Sequence, residues 1–276
     1  LSLHDALPIS TLETWSRELA DVEPLLLGTG VIPDAEPART RHALSAAETE
    51  RFVGWARRNG LTVNTAVEFA QVARDLVAHP AFDAVVGVEV NISCPNVANR
   101  GQVFACDPMS SAKVVSLVRE ELPRDFPMFA KLTPDVTDIV AIADAAVRAG
   151  AGGLTMINTL LGIAIDTDRM RPQLAAVTGG LSGPAVRPVA VRAIWQCTAA
   201  MRENRIDAVP IIGVGGVRSG LDALELLAAG ASAVQVGTAT FNDPSAPRRV
   251  LTELESALDE RGFASLTDVV GLAHDR

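Results

Sequence analysis

Val88-Glu89-Val90-Asn91-Ile92-Ser93-Cys94-Pro95-Asn96 (V-E-V-N-I-S-C-P-N) is the stretch from which the rest of the chain can be read. Val85, Val86, Val88, Val90 and Ile92 are β-branched and suit a strand buried on both faces, and Pro95 ends the ladder because it has no N–H to donate. The stretch therefore predicts a strand whose C-terminal end displays Asn91, Ser93, Cys94 and Asn96. In parallel α/β proteins ligands bind at that end, where loops are free to carry polar groups. Position alone makes Cys94 a candidate catalytic residue.

Outward from this strand, short β-branched runs alternate with longer helical patterns from about residue 61 to the end, which predicts a parallel sheet. Six strand–helix units can be counted. The first joins Leu61–Asn64 to a helix through Val67, Ala70, Val72 and Leu76; the second is the quoted strand with a helix near Ser110–Glu121. Strand three is Met128–Leu132, followed by a helix with Ile139, Ile142, Ala143, Ala146 and Val147 at helical spacing, Thr137 as N-cap and Gly150 ending it. Strand four is Gly153–Ile157, and a long loop leads from it to Pro184 and the helix Val186–Met201. Strand five, Pro210–Val214, precedes a helix over Ser219–Ala229; strand six, Ala233–Val236, precedes a terminal helix over Pro247–Arg261. The length of 276 residues suits an α/β barrel or a doubly wound sheet, and six units are two short of an eight-unit barrel.

Residues 1–60 do not continue the pattern. Pro24, Pro33 and Pro37 interrupt them, Ser10–Leu19 and Ala46–Arg57 read as isolated helices, and Leu25–Ile32 as at most one strand. The first ten residues, L-S-L-H-D-A-L-P-I-S, resemble translated sequencing-adapter sequence and predict a truncated or frameshifted start. The domain reading is thus an atypical segment, 1–60, and a barrel-like region, 61–276.

Composition narrows the function classes. With 33 acidic and 24 basic residues the net charge is −9, which argues against a partner bound through its phosphate backbone, so no nucleic acid is expected. No apolar run is long enough to span a bilayer, so no membrane partner is expected. Cys94, Cys106 and Cys197 form no C-x-x-C pair and no zinc or cluster spacing, which predicts reduced thiols in a cytoplasmic protein and places any iron–sulfur cluster on another subunit. His4, His42, His79 and His274 lie outside every strand end, so no metal site is expected.

Six blocks in order carry a family resemblance: N-I-S-C-P-N (Asn91–Asn96), K-L-T-P (Lys131–Pro134), M-I-N-T-L (Met156–Leu160), T-G-G-L-S-G-P-A (Thr178–Ala185), P-I-I-G-V-G-G-V (Pro210–Val217) and A-V-Q-V-G-T-A (Ala233–Ala239). From about residue 66 onward the chain resembles dihydroorotate dehydrogenase, most of all the cytosolic class 1 enzymes whose base is cysteine. The resemblance implies an FMN-binding (β/α)8 TIM barrel, here incomplete at its N-terminus, that oxidises dihydroorotate to orotate in pyrimidine biosynthesis.

That reaction removes a proton from C5 and a hydride from C6, so it needs a base on one face of the ring and a flavin on the other. Cys94 is the expected base, and because an ordinary thiol ionises near pH 8.5 the rate is expected to rise with pH. Without its asparagine and proline neighbours, Cys94 would read equally well as a small buried apolar residue. Asn91, Asn96 and Asn158 offer both donors and acceptors to a ring edge that alternates C=O and N–H. The resemblance assigns these three and Thr159 to substrate, and Asn91 also to flavin; strand-end turn formation is the alternative reading of such asparagines.

Lys131, between apolar residues near a strand end, is costly to bury without an anion. Reduced flavin is one, and the resemblance sets this lysine beside the flavin ring; snorkelling to solvent is the alternative. Gly215 and Gly216 after one strand, and Gly237 and Thr238 after the next, read as a phosphate site, since glycine leaves backbone N–H groups accessible at the last strand ends of a barrel. Arg218 stands where a dinucleotide fingerprint needs its third glycine, so no direct NAD site is expected. Ile157 and Gly183 are assigned to FMN by the resemblance; alone, Gly183 is a turn glycine. Asp166, Asp168, Arg169 and Arg171 read as a solvated loop tip, and Cys106 and Cys197 as structural.

The family's first two strands supply a lysine that touches flavin and substrate and a glycine-rich loop over the pyrimidine. Residues 1–60 contain neither, which predicts weak or absent FMN retention. Asn64 stands near the place of a further flavin-contacting asparagine on the family's third strand, but its neighbours do not align with the family, so it is not assigned to the site. Two other readings stay open: an FMN oxidoreductase like dihydropyrimidine dehydrogenase, which shares N-x-S-C-P, and an inactive barrel fragment. The glycine blocks look more like the NAD-linked type than the fumarate-reducing type, which implies an electron-transfer subunit carrying FAD and an iron–sulfur cluster; a homo-oligomer is expected.

Overall fold

The computed structural model describes residues 66–93, 106–175 and 177–275. The expected segment 1–60, the strand Leu61–Asn64 with Asn64, and the site residues Cys94 and Asn96 lie outside the described residues. In chain order the elements are α1 (Ala66–Val77), β1 (Val88–Asn91), α2 (Pro108–Glu121), β2 (Met128–Leu132), α3 (Ile139–Arg148), β3 (Gly153–Met156), four short strands β4 (Leu160–Gly162), β5 (Ile165–Asp166), β6 (Arg171–Pro172) and β7 (Gly179–Leu181), then α4 (Arg187–Arg202), β8 (Ile211–Val214), α5 (Gly220–Ala228), β9 (Ala233–Gln235) and α6 (Ala246–Asp259).

One sheet runs β1-β2-β3-β8-β9, with every neighbouring pair parallel. Spatial order follows sequence order, so the winding never reverses as it does in a doubly wound sheet. The helices accordingly form one layer in which each packs on the next, α1 on α2 through α5 on α6. The sheet is also rolled. Four intervals of about 4.8 Å would set β1 and β9 about 19 Å apart if it were flat, yet Gln235 Nε2 of β9 lies 3.4 Å from Glu89 Oε2 of β1.

The core lies between sheet and helices. Met128, Ala130 and Leu132 of β2 and Leu154 and Met156 of β3 are at most 1% exposed and pack in one cluster with Val114, Val115, Ile142, Ala143 and Ile194. Small residues bring the layers together: a Cβ on Gly213 would lie 2.9 Å from Leu226 Cδ2 and 3.0 Å from Ala231 Cβ. Among the described residues no helix is long and apolar enough to cross a membrane.

The structure corrects three local expectations. Val85 and Val86 do not belong to the strand, and Val86 is 78% exposed. Val88 N–H bonds to Pro127 O at 2.9 Å, but Pro127 has no N–H to return to Val86, so the parallel ladder starts only there. Asp138, not Thr137, caps α3: its carboxylate accepts from Val140 N and Ala141 N at 3.0 and 3.1 Å, two donors that one hydroxyl would serve less well. The stretch from Asn158 to Pro184 is not a plain loop but carries two antiparallel ribbons, β4 with β7 and β5 with β6.

Helix α5 begins under a tight constraint. Ser219 and Asp222 form a capping box, Gly220 N–H donates to Glu253 Oε2 of α6 at 2.8 Å, and Arg249 holds the other oxygen of that carboxylate at 2.8 Å. Arg249, with help from the Gly220 N–H, holds the Glu253 carboxyl below its ordinary pKa. An added Cβ at Gly220 would lie 2.3 Å from backbone atoms of Glu253 and Leu254, which cannot rotate away. Gly220→Ala should therefore force α5 and α6 apart and destabilise the chain by about 1–3 kcal/mol. Urea unfolding that gives the same midpoint for variant and parent refutes the contact's importance.

Candidate functional site

The side of the sheet away from the helices is set by period two. With Val90, Ala130, Leu132, Leu154 and Met156 facing the helices, Glu89, Asn91, Phe129, Lys131 and Thr155 face inward, and register aligns Asn91 with Lys131 and Lys131 with Thr155. Lys131 is 9% exposed, so it does not snorkel out. Its Nζ lies 3.1 Å from Glu89 Oε1, an anionic partner from within the chain that the sequence reading did not supply. The Phe129 ring lies over Gly153, where a Cβ would come within 2.3 Å of the ring.

At the C-terminal ends of β1 and β3 three polar side chains meet. Asn91 Oδ1 accepts from Ser93 N at 3.2 Å, Ser93 Oγ at 2.7 Å and Asn158 Nδ2 at 3.2 Å, while Asn158 Nδ2 also donates to Ser93 Oγ at 2.7 Å. Asn158 is anchored from β2, its N–H bonding to Leu132 O at 2.8 Å, and its Oδ1 accepts from Thr159 N at 2.7 Å. The structure thus brings Asn91 and Asn158 together, 67 residues apart in sequence. Thr159 turns elsewhere and packs its side chain against the backbone of Gly180 in β7.

A second brace comes from Asp135, one residue past the K-L-T-P block. Its carboxylate accepts from Leu161 N at 3.0 Å and so ties the loop after β2 to the start of β4. The expected loop tip is folded on itself: Asp166 Oδ1 accepts from Asp168 N and Arg169 N at 3.0 Å, and Arg169 stays mostly exposed.

Three glycine segments converge beyond β8 and β9. Gly215 and Gly216 have positive φ (136° and 74°), and a Cβ on Gly216 would lie 2.9 Å from Gly183 O and 2.7 Å from Arg187 Cβ. Ile157 is 1% exposed and borders Gly215, and Ser182 Oγ accepts from Thr238 Oγ1 at 2.8 Å. A Cβ on Gly237 would meet nothing within 4 Å, so the chain leaves open space beside Thr238. The turn after Gly216 is pinned by Asp222, which accepts from Arg218 N and Ser219 N at 2.9 Å and pairs with Arg187. Of the ten described site residues from the sequence reading, Asn91, Lys131, Ile157, Asn158, Gly183, Gly215, Gly216, Gly237 and Thr238 lie at or just beyond strand ends or on the inner face, and Thr159 turns towards Gly180.

A family model described as dihydroorotate dehydrogenase matches residues 50–258. The chain belongs to the dihydroorotate dehydrogenase family. Relatives include the dihydroorotate dehydrogenase B (NAD(+)) catalytic subunits of Geotalea daltonii, 50% identical, and of Citrifermentans bemidjiense and Geobacter sulfurreducens, each 49% identical. Each match covers 208 residues, 75% of this chain and 65% of the relative, so the chain spans about two thirds of the length of these relatives.

Glu89, Asp135, Ser182 and Asp222 are the residues of this chain that sequence reasoning passed over. Glu89 was legible: an acid two residues before Asn91 shares its face, and the inward Lys131 needs an anion. Asp135 and Ser182 sit inside or beside the quoted blocks but carry no spacing signal of their own. The described thiols differ sharply. Cys106 is exposed and its thiol donates to Asp135 O at 3.8 Å, whereas burial, with a smaller contribution from Asp138, pushes Cys197 up to about 12. Iodoacetamide should therefore alkylate Cys106 in the folded protein and reach Cys197 only after unfolding. The linkage has a sign: the folded state keeps the Cys197 proton where the unfolded chain loses it, so this contribution to stability is intact below pH 9.0 and falls as pH rises from there towards about 12. Modification of Cys197 at the same rate before and after denaturation contradicts this burial.

Proposed function

We propose that the strand-end mouth binds FMN and dihydroorotate, and that the chain serves as the catalytic subunit of an NAD-linked dihydroorotate dehydrogenase that produces orotate for pyrimidine biosynthesis. The observation that carries this reading is the meeting of Asn91, Ser93 and Asn158 beside the inward Lys131, at the open end of a parallel sheet. Family membership and the printed names of the relatives support it. The rolled, singly wound sheet supports a (β/α)8 barrel, with residues 61–276 as its barrel region.

The residues suit FMN. Gly216 packs against the backbone of Gly183 and Arg187, as close chain approach in a phosphate cradle requires, Gly215 packs on Ala190 and Ile157, and Gly237 leaves room beside Thr238. Ile157 offers an apolar surface next to them, and Thr155 Oγ1 is buried on the inner face with no hydrogen-bond partner among the described residues. When bound, FMN supplies the acceptor for the hydride that leaves C6. Cys94 takes the C5 proton, which requires its thiolate. Asn91, Asn96 and Asn158 would hold the ring and its carboxylate, Thr159 would support them from the adjoining loop through its packing on Gly180, and Lys131 would lie on the flavin side. The relatives' description as the catalytic subunit of an NAD(+) enzyme supports an electron-transfer partner, for which we assign FAD and an iron–sulfur cluster.

The test is an anaerobic visible spectrum of the purified chain with added FMN, before and after dihydroorotate. With FMN in excess, flavin should bind, though weakly because residues 1–60 supply neither the lysine nor the glycine-rich loop of the family's first two strands, and should bleach with dihydroorotate but not with dihydrouracil; Cys94→Ala should keep the same flavin binding while bleaching about 100- to 10,000-fold more slowly. A chain that takes up no FMN, or that bleaches only with dihydrouracil, sinks the reading.

A further inference from the structure

Glu89 occupies a place that packing alone does not explain. It lies on the inner face of the rolled sheet, on the edge strand β1, and its carboxylate reaches both the neighbouring strand and the opposite edge: Oε1 is 3.1 Å from Lys131 Nζ on β2, and Oε2 accepts from Gln235 Nε2 on β9 at 3.4 Å. The Lys131 contact is diagonal, because the in-register partner of Lys131 is Asn91. The two side chains keep only 11% and 21% of their surface exposed. A buried ion pair is seldom worth more to folding than apolar side chains of the same volume, while losing one partner leaves a costly bare charge. The neighbouring inward positions, Phe129, Thr155 and Ile212, are uncharged. The pair is therefore placed where it bears on what enters the mouth.

We propose that Glu89 is a positioning residue: it holds the Lys131 ammonium on the inner face just below Asn91 and Asn158, and it offsets that charge, so that the pair, not Lys131 alone, sets how strongly the mouth favours an anionic occupant. The flavin part of this proposal rests on the reading of the mouth as an FMN site. Gln235 orients the carboxylate from the opposite edge of the sheet.

The chain contains only two lysines, Lys113 and Lys131, which makes the pair directly testable. Lys113 is exposed on α2 and serves as an internal standard. In flavin-free protein at one fixed pH, acylation read by peptide mass spectrometry should modify Lys131 more slowly than Lys113. Glu89→Gln should accelerate Lys131 about tenfold and leave Lys113 unchanged; an unchanged Lys131 rate overturns the proposal. Should Glu89→Gln fail to fold, Lys131→Met and the double variant Glu89→Gln/Lys131→Met decide the matter. Removing both charges should restore most of the urea resistance lost by Lys131→Met alone, and equal midpoints for the two would overturn the pairing.

The charge-setting role has its own sign. In protein that binds FMN, Glu89→Gln should raise the ratio of affinities for reduced over oxidised FMN by about tenfold, about 30 mV for a two-electron couple, and Lys131→Met should lower it. A fall in both variants means that Glu89 merely scaffolds Lys131 and overturns the charge-setting role. If the parent chain takes up no FMN, the proposed function fails, while the labelling and double-variant measurements still decide the Glu89–Lys131 pair.

Discussion

Parallel strands cannot be joined by tight turns, and this constraint shapes the rest of the molecule. Each strand end must be carried back by a crossover, and a right-handed helical crossover repeated in one direction lays every helix on the same face. The β1-β2-β3-β8-β9 order is the result, with α1 to α6 as one continuous layer. A sheet covered on one face only must protect the other by curling on itself. The contact between Glu89 and Gln235, from its two described edges, shows how far that curling has gone.

Curling divides the residues of each strand by their task. Those facing the helices can be apolar without exception, and Met128, Ala130, Leu132, Leu154 and Met156 are. Those facing inward converge on a narrow space in which bulk on one strand demands smallness on the next, as Phe129 does of Gly153. Convergence also lets polar groups from distant parts of the chain satisfy one another. Lys131 finds Glu89, and Asn158 finds Asn91 and Ser93. These pairings make burial of polar groups tolerable, since a buried donor or charge left alone is destabilising by about 1–3 kcal/mol or more.

Much of this was legible in the sequence, and the rest was hidden for physical reasons. Valine-rich runs and the spacing of Ile139, Ile142, Ala143 and Ala146 locate the described strands and helices to within a few residues, because core-facing periodicity is written directly in residue type. The family blocks gave Asn91, Lys131 and Asn158 their places at strand ends. Boundaries set by a partner strand were not legible: nothing local in Val85-Val86 says that Pro127, forty residues later, lacks the N–H that would extend the ladder. The ribbons between Asn158 and Pro184 were missed for a similar reason. Strands of two or three residues hold too few side chains to show alternation, and Gly179 and Gly180 read as loop.

The mouth is braced unevenly, and the pattern follows from which loops carry side chains and which carry glycine. Around β1, β2 and β3 the connections are side chain to side chain or side chain to backbone: Asn91 to Ser93 and Asn158, Asn158 to Leu132, Asp135 to Leu161. Around β8 and β9 the approach is backbone to backbone, with Gly216 against Gly183, and the charged anchors lie behind it, where Asp222 receives Arg218, Ser219 and Arg187. The first arrangement presents fixed amides and hydroxyls that can discriminate the edge of a planar ring. The second leaves main chain unscreened by side chains, as at Gly237, where an added Cβ would meet nothing within 4 Å. The proposed FMN site asks for a ring-holding half and a phosphate-holding half, and Ile157, buried between the asparagine cluster and Gly215, lies where the two halves join.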